Sequence, residues 1–287
     1  MRTLSAATLT GFIGCAVALG NGVGAERTVL IVAGQSNVLN WHADAAALPP
    51  SKADAGITFF YHTGAPPSKG GEMPFNATSA GAWVSLRPQR QEPYVCYARE
   101  FFGPEILLGR SVDAHGVKPL AIIKVAYFGS NLADDWRPDA ASGNRLYGLL
   151  RAQVDTALDL LRTAGDTPRV AGFFWMQGET DGANAVPATA YEQNLRAFIA
   201  RVRADFGEAR AAGALPFVLG RVGPPPPKGY AHQHTVRAAQ VRVAESVTRV
   251  AWIDTDDLPR DTDGVHLLAP GVLALGERWA NAWLRLR

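Results

Sequence analysis

A chain of 287 residues, 47% hydrophobic and 19% charged, has ordinary globular composition and the length for one large domain or two small ones. Its net charge of +2 is spread without long runs of either sign, which argues against a nucleic-acid-binding stripe and against a polybasic lipid-binding segment.

Residues 1–25 read as a signal peptide: Met1-Arg2-Thr3 carries the positive end, residues 9–19 are apolar, and Val23-Gly24-Ala25 supplies small residues before a cut after Ala25. The apolar stretch is short for an anchor, and Gly20 and Gly22 break its far end. Cleavage there leaves Cys96 as the single cysteine, so an intrachain disulfide is excluded and stability must come from packing. The expectation is one domain over residues 26–287, secreted or periplasmic, with no membrane contact after cleavage.

Residues 29–32 are an unbroken aliphatic run leading into Gly34-Gln35-Ser36-Asn37, the pattern of a buried parallel strand with a serine at its carboxyl end. Such a serine is either a nucleophile at a ligand-binding sheet edge or the cap of the next helix. Residues 40–95 are rich in proline, glycine and aromatics and read as long ordered loops, with a short strand at 57–61. A helix is predicted over 94–108, then a second strong strand over 119–126 that exits through Tyr127-Phe128-Gly129-Ser130-Asn131. Helical spacing returns over 145–163, and residues 169–176 form a third strand leaving into Gln177-Gly178-Glu179. An amphipathic helix over 191–206, strands at 216–220 and 249–254, and helices over 236–247 and 271–286 complete the chain, with 223–227 a rigid proline loop. Alternating strand and helix predicts an α/β fold: a mainly parallel sheet of about five strands with helices on both faces, as a single domain.

In such a sheet the three polar exits share one edge. Asp261-Thr262-Asp263-Gly264-Val265-His266 follows the last strand and can reach that edge. A serine needs a base, and a base needs an orienting acid. Asp263 and His266, three residues apart on one turn, supply both, although a plain turn and a surface histidine would read the same way. Donors for an oxyanion are the N–H groups of Ser36 and Gly129 and the side-chain amide of Gln177. His232 and His234 lack companions for a metal ligand set, so no metal is expected.

The motifs Gly34-Gln35-Ser36-Asn37, Gly129-Ser130-Asn131-Leu132-Ala133-Asp134-Asp135-Trp136, Trp175-Met176-Gln177-Gly178-Glu179-Thr180-Asp181 and Asp263-Gly264-Val265-His266 occur in that order. Together they resemble the sialate O-acetylesterase domain group, which includes the carbohydrate esterase family six acetylxylan esterases, within the SGNH hydrolases. The resemblance spans residues 29–275. It implies a flavodoxin-like three-layer αβα sandwich and a cofactor-free serine esterase acting on acetylated carbohydrate. Ser36 matches the nucleophile, His266 the base, Asp263 the acid, and Ser36, Gly129 and Gln177 the oxyanion positions. Glu179 falls where some members are proposed to place the acid, so it competes with Asp263. Phe128, Asn40 and Met176 depart from the pattern, standing where a second glycine, a glycine and a histidine are common. Trp41, Trp83 and Trp136 are candidates for stacking on sugar faces, and Phe128 and Trp175 for walling a small acyl pocket. A lipase or thioesterase of the same fold, and a carbohydrate-binding protein without activity, are the alternatives.

Overall fold

The computed structural model describes residues 24–65, 77–90, 100–139, 146–207, 213–226 and 228–287. The strands are β1 (Glu26–Gly34), β2 (Ile57–Gly64), β3 (Ala77–Thr78), β4 (Val84–Ser85), β5 (Gln89–Arg90), β6 (Glu100–Phe101), β7 (Leu120–Tyr127), β8 (Thr167–Met176), β9 (Phe217–Gly220) and β10 (Val250–Ile253). The helices are α1 (Ser36–Leu39), α2 (Glu105–Ala114), α3 (Leu146–Thr163), α4 (Glu179–Gly182), α5 (Ala185–Phe206), α6 (Gln233–Ser246) and α7 (Ala269–Leu286).

The main sheet runs β10-β9-β8-β1-β7-β2-β3, with β4 also on β2. Every neighbouring pair from β10 to β2 is parallel, while β3 and β4 pair antiparallel with β2. The five expected parallel strands are present. The tentative 57–61 segment becomes a sixth, because its register continues to Gly64 opposite Tyr127.

Alternation along β1 explains the layering. Val29, Ile31 and Ala33 face a core completed by α3, α5 and α6, whereas Leu30 and Val32 face one completed by α2 and α7. Successive strand side chains point to opposite faces, so a strand apolar at every position must be covered twice. Each buried Val, Leu or Ile contributes about 1.5–3 kcal/mol on transfer from water.

The helix expected over 94–108 is corrected in its described part: residues 91–99 lie outside the described residues, Glu100–Phe101 is the strand β6 paired with β5, and the helix begins at Glu105 and runs to Ala114. Pro104 is the reason. Proline turns the preceding residue away from helical backbone but fits a helix start. The segment expected as a signal peptide lies outside the described residues up to residue 23. Among the described residues no helix is long and apolar enough to cross a membrane.

One buried charge stands out. Lys124 on β7 points into the α2 side of the sheet, where its ammonium lies 2.9 Å from Glu105 Oε2 and donates to Leu39 O at 3.3 Å. Glu105 Oε1 in turn accepts from Gln89 Nε2 and the Gly103 N–H. Burial lowers the Lys124 pKa, and the neighbouring Glu105 opposes that shift. This pair anchors the end of α1, the helix that begins with Ser36.

Candidate active site

β8, β1 and β7 lie side by side, with Gly34 in register with both Met176 and Ala126. Their exits therefore deliver Ser36, Gln177 to Glu179, and Gly129 to one edge. Gly34 has φ +151°, and a Cβ there would meet the Met176 carbonyl oxygen at 2.1 Å, so only glycine lets β1 turn this tightly into Gln35. Ser36 is the first residue of α1, while Gln35 holds the cap position without a side-chain capping bond. The cap alternative for Ser36 is thus not what is seen: Gln35 Oε1 instead accepts from the Gly178 N–H across the strands. Ser36 is 2% exposed, and among the described residues neither its hydroxyl nor its N–H has a hydrogen-bond partner.

The loop before α7 is tied to α1 by two asparagines. Asn37 donates to Val265 O at 3.1 Å and accepts from the Leu267 N–H at 2.9 Å, gripping both neighbours of His266. Asn40 donates to Leu267 O. The departure from glycine at position 40 has a physical basis: φ is +58°, a left-handed conformation that asparagine tolerates, and its side chain adds bonds that glycine could not.

His266 Nδ1 lies 2.6 Å from Asp263 Oδ2, and Asp263 Oδ1 accepts the N–H groups of Val265 and His266. Burial pushes the Asp263 carboxyl upward, but the bonds from the His266 ring and the two backbone groups outweigh it and hold the pKa below its ordinary value. Glu179 is placed otherwise. Its Oε1 accepts from Asn37 Nδ2 at 2.8 Å, and its fully buried Oε2 has no partner among the described residues. Burial raises its pKa, with the Asn37 bond among the opposing influences. Asp263 touches the histidine, and Glu179 touches the asparagine that carries the histidine loop.

Gly129 has φ +63°, and its N–H has no partner among the described residues. The turn is held from below. Ser130 Oγ donates to Tyr127 O and accepts from Trp136 Nε1, and Asp181 accepts from the Leu132 and Ala133 N–H groups. Gln177 differs from its expected role. Its Nε2 donates to Ser130 O at 3.1 Å and to Asp181 Oδ2 at 2.6 Å, which engages both amide protons in holding this loop. Burial pushes the Asp181 carboxyl up to about 6.

The aromatic expectations divide. Trp136 is fully buried, edge-on to the fully buried Trp175, so these two belong to the core, and the partly buried Trp83 is held against it by Phe60 and by a bond to Ala157 O. Trp41 is almost buried and meets the half-buried Phe128 edge-on at 4.7 Å, leaving Phe128 as the aromatic nearest solvent here. Met176 is core, with its carbonyl bonded to the Gln35 N–H.

Sequence reasoning missed the Asn37 bridge, the Asp181 support and His42, whose ring stacks on His266. Asp181 lies four residues beyond Gln177, the separation that lets side chains one helical turn apart meet. His42, by contrast, meets Asp261 219 residues away, with no local spacing to announce it. His42, Asp263 and His266 each bring one possible metal-ligand atom within 4.8 Å of the others. The two rings lie only 10° from parallel, so their in-plane lone pairs do not converge on one ion.

A strand-edge serine, a histidine–carboxylate pair and two open N–H groups define an ester hydrolase type of site, and comparison with known proteins agrees with that class. The family model for carbohydrate esterase, sialic acid-specific acetylesterase matches residues 26–285, and the chain belongs to that family. No curated protein sequence matches it. Among solved structures it is similar to a protein from Arabidopsis thaliana (17% identity, 90% of this chain and 98% of that one, TM-score 0.67). It is also similar to a carbohydrate acetylesterase from Xanthomonas citri (20%, 90% and 56%, TM-score 0.60) and to NanS (15%, 91% and 98%, TM-score 0.61). At these identities the likeness shows the fold, a mainly parallel sheet between helical layers.

Proposed function

We propose that the chain is an exported serine esterase that removes acetyl groups from carbohydrate through an acetyl-Ser36 intermediate. The observation that carries this reading is the grip of Asn37, the residue after Ser36, on both neighbours of His266, whose ring is bonded to Asp263. Ser36 Oγ attacks the acetyl carbonyl while His266 Nε2 takes its proton. Asp263 holds the opposite ring nitrogen and stabilises the imidazolium. The N–H groups of Ser36 and Gly129 receive the oxyanion, and Gln177 and Asp181 keep the Gly129 turn in place. As the tetrahedral adduct collapses, His266 protonates the departing sugar oxygen, which leaves as a free hydroxyl. Water then attacks the acyl-enzyme with His266 as base, releasing acetate and regenerating Ser36. Acetylated sialic acid is the proposed substrate class by analogy with the family, and acetylated xylan by the motif resemblance to acetylxylan esterases. Export is proposed from the charge and hydropathy pattern of residues 1–25.

Purified protein is expected to release acetate from 4-nitrophenyl acetate and from acetylated glycans, with turnover falling as the acyl chain lengthens. Higher kcat/KM on a decanoyl ester than on the acetyl ester would instead favour a lipase or thioesterase. Binding of glycan without fluorophosphonate labelling of Ser36 would favour an inactive binding protein.

The two candidate acids separate by substitution. Asp263→Asn places an amide against His266 Nδ1 and is expected to lower kcat by about 10⁴-fold, the size seen when a triad histidine is held in the wrong tautomer. Glu179→Gln keeps an acceptor for Asn37 and is expected to cost far less. A larger kcat loss for Glu179→Gln than for Asp263→Asn, in folded protein, would transfer the acid role to Glu179.

A further inference from the structure

A second histidine–carboxylate pair lies against the first. His42 comes three residues after α1, and its Nδ1 lies 2.9 Å from Asp261 Oδ2. Asp261 shares a loop with Asp263, and its N–H donates to His266 O at 2.8 Å. The His42 and His266 rings are stacked with centroids 4.4 Å apart and planes 10° apart, and the Trp41 ring lies 5.8 Å from His266. The His42 side chain is 4% exposed.

We propose that His42, held by Asp261, is a positioning residue for His266: its ring fixes the plane of the His266 imidazole and screens one face of it from water. The proposal rests on the reading of His266 as the general base. The Cβ–Cγ torsion of histidine is a broad, soft rotor. The Asp263 bond restrains one edge of the ring, and a stacked neighbour restrains its plane, so together they keep Nε2 aligned through two proton transfers.

The charge on His42 matters as well. Burial, and then the neighbouring His266, lower the His42 pKa, and the Asp261 bond opposes them. Among the described residues, the titratable groups that act on His42 include His266, Asp261 and Asp263. Those facing His266 are Asp263, His42 and, from α4, Glu179; Tyr230, before α6, senses the charges of Asp263 and Glu179. A neutral His42 ring can lie under the His266 imidazolium, whereas a protonated one would repel it.

The test compares His42→Ala and His42→Phe on 4-nitrophenyl acetate. His42→Ala is expected to lower kcat by about ten- to a hundredfold with little change in KM, the effect of a misaligned catalytic group. His42→Phe restores a ring against His266 and is expected to recover much of the kcat. If His42→Ala does not fold, Asp261→Ala carries the same test, because it frees the His42 ring without emptying its place. A folded His42→Ala or Asp261→Ala protein with wild-type kcat overturns the proposal, and so does a His42→Phe protein that recovers no kcat over His42→Ala. Fluorophosphonate labelling separates the two levels: a wild-type protein that turns over ester without labelling at Ser36 sinks the underlying serine assignment, whereas wild-type labelling and turnover in His42→Ala sink only the role of His42.

Discussion

Ser36→Ala is expected to reduce turnover of 4-nitrophenyl acetate by about 10⁴- to 10⁶-fold while leaving the protein folded. The chemical part of this expectation follows from the acyl-enzyme route, which has no substitute for the Ser36 oxygen. The folding part follows from the structure. The hydroxyl has no hydrogen-bond partner among the described residues, so its removal orphans no donor or acceptor. The stability change should stay within about 1 kcal/mol. The Ser36 and Gly129 N–H groups remain, and with them the fraction of catalysis that an oxyanion site supplies alone. His266→Ala should cost a similar factor, and Ser36→Ala combined with His266→Ala little more than either, because the members act as a unit. Turnover by Ser36→Ala at the wild-type rate would remove the serine mechanism altogether.

The largest stability effect is expected at Lys124. In Lys124→Met the Glu105 carboxylate stays buried between Gln89 and Gly103 without a counter-charge, which should lower unfolding free energy by about 3–5 kcal/mol. Urea unfolding reads this directly as a fall in midpoint at similar slope. Replacing both partners, Lys124→Met with Glu105→Leu, removes the desolvated charges together and should recover a large part of the loss. The Leu39 carbonyl would still lack its donor, so activity per folded molecule is expected to stay reduced, since that carbonyl ends the helix that Ser36 begins. A Lys124→Met midpoint equal to wild type would mean that the buried pair contributes nothing to folding.

The layers of this fold were legible because its strands are covered on both faces. Runs such as Leu30-Ile31-Val32 and Ile122-Ile123 admit few other readings, and three of them end in glycine-bearing polar turns. The residues those turns bring together were legible for the same reason. Less was legible where partners are remote. Lys124 sits inside an apolar run and gives no sign of Glu105, and Asp261 reads as one more turn residue until His42 is set beside it. Residue type alone also misled at Gln177, because an amide that could donate to an oxyanion donates equally well to the Ser130 carbonyl and Asp181. The helix start at Glu105 was missed because apolar spacing was followed through Pro104.

The Asn37 bridge has a consequence in time. Its partners Val265 and Leu267 lie 228 and 230 residues downstream, so the strand leading to Ser36 emerges early in synthesis while the proposed base, His266, arrives almost last. On the proposed mechanism, a chain synthesised only as far as α6 carries Ser36 and His42 but lacks His266, and so has no esterase site. Catalytic competence is then a readout of completed folding: it is born when the loop ahead of α7 docks on Asn37 and Asn40, and it should be lost with that docking before the sheet itself melts.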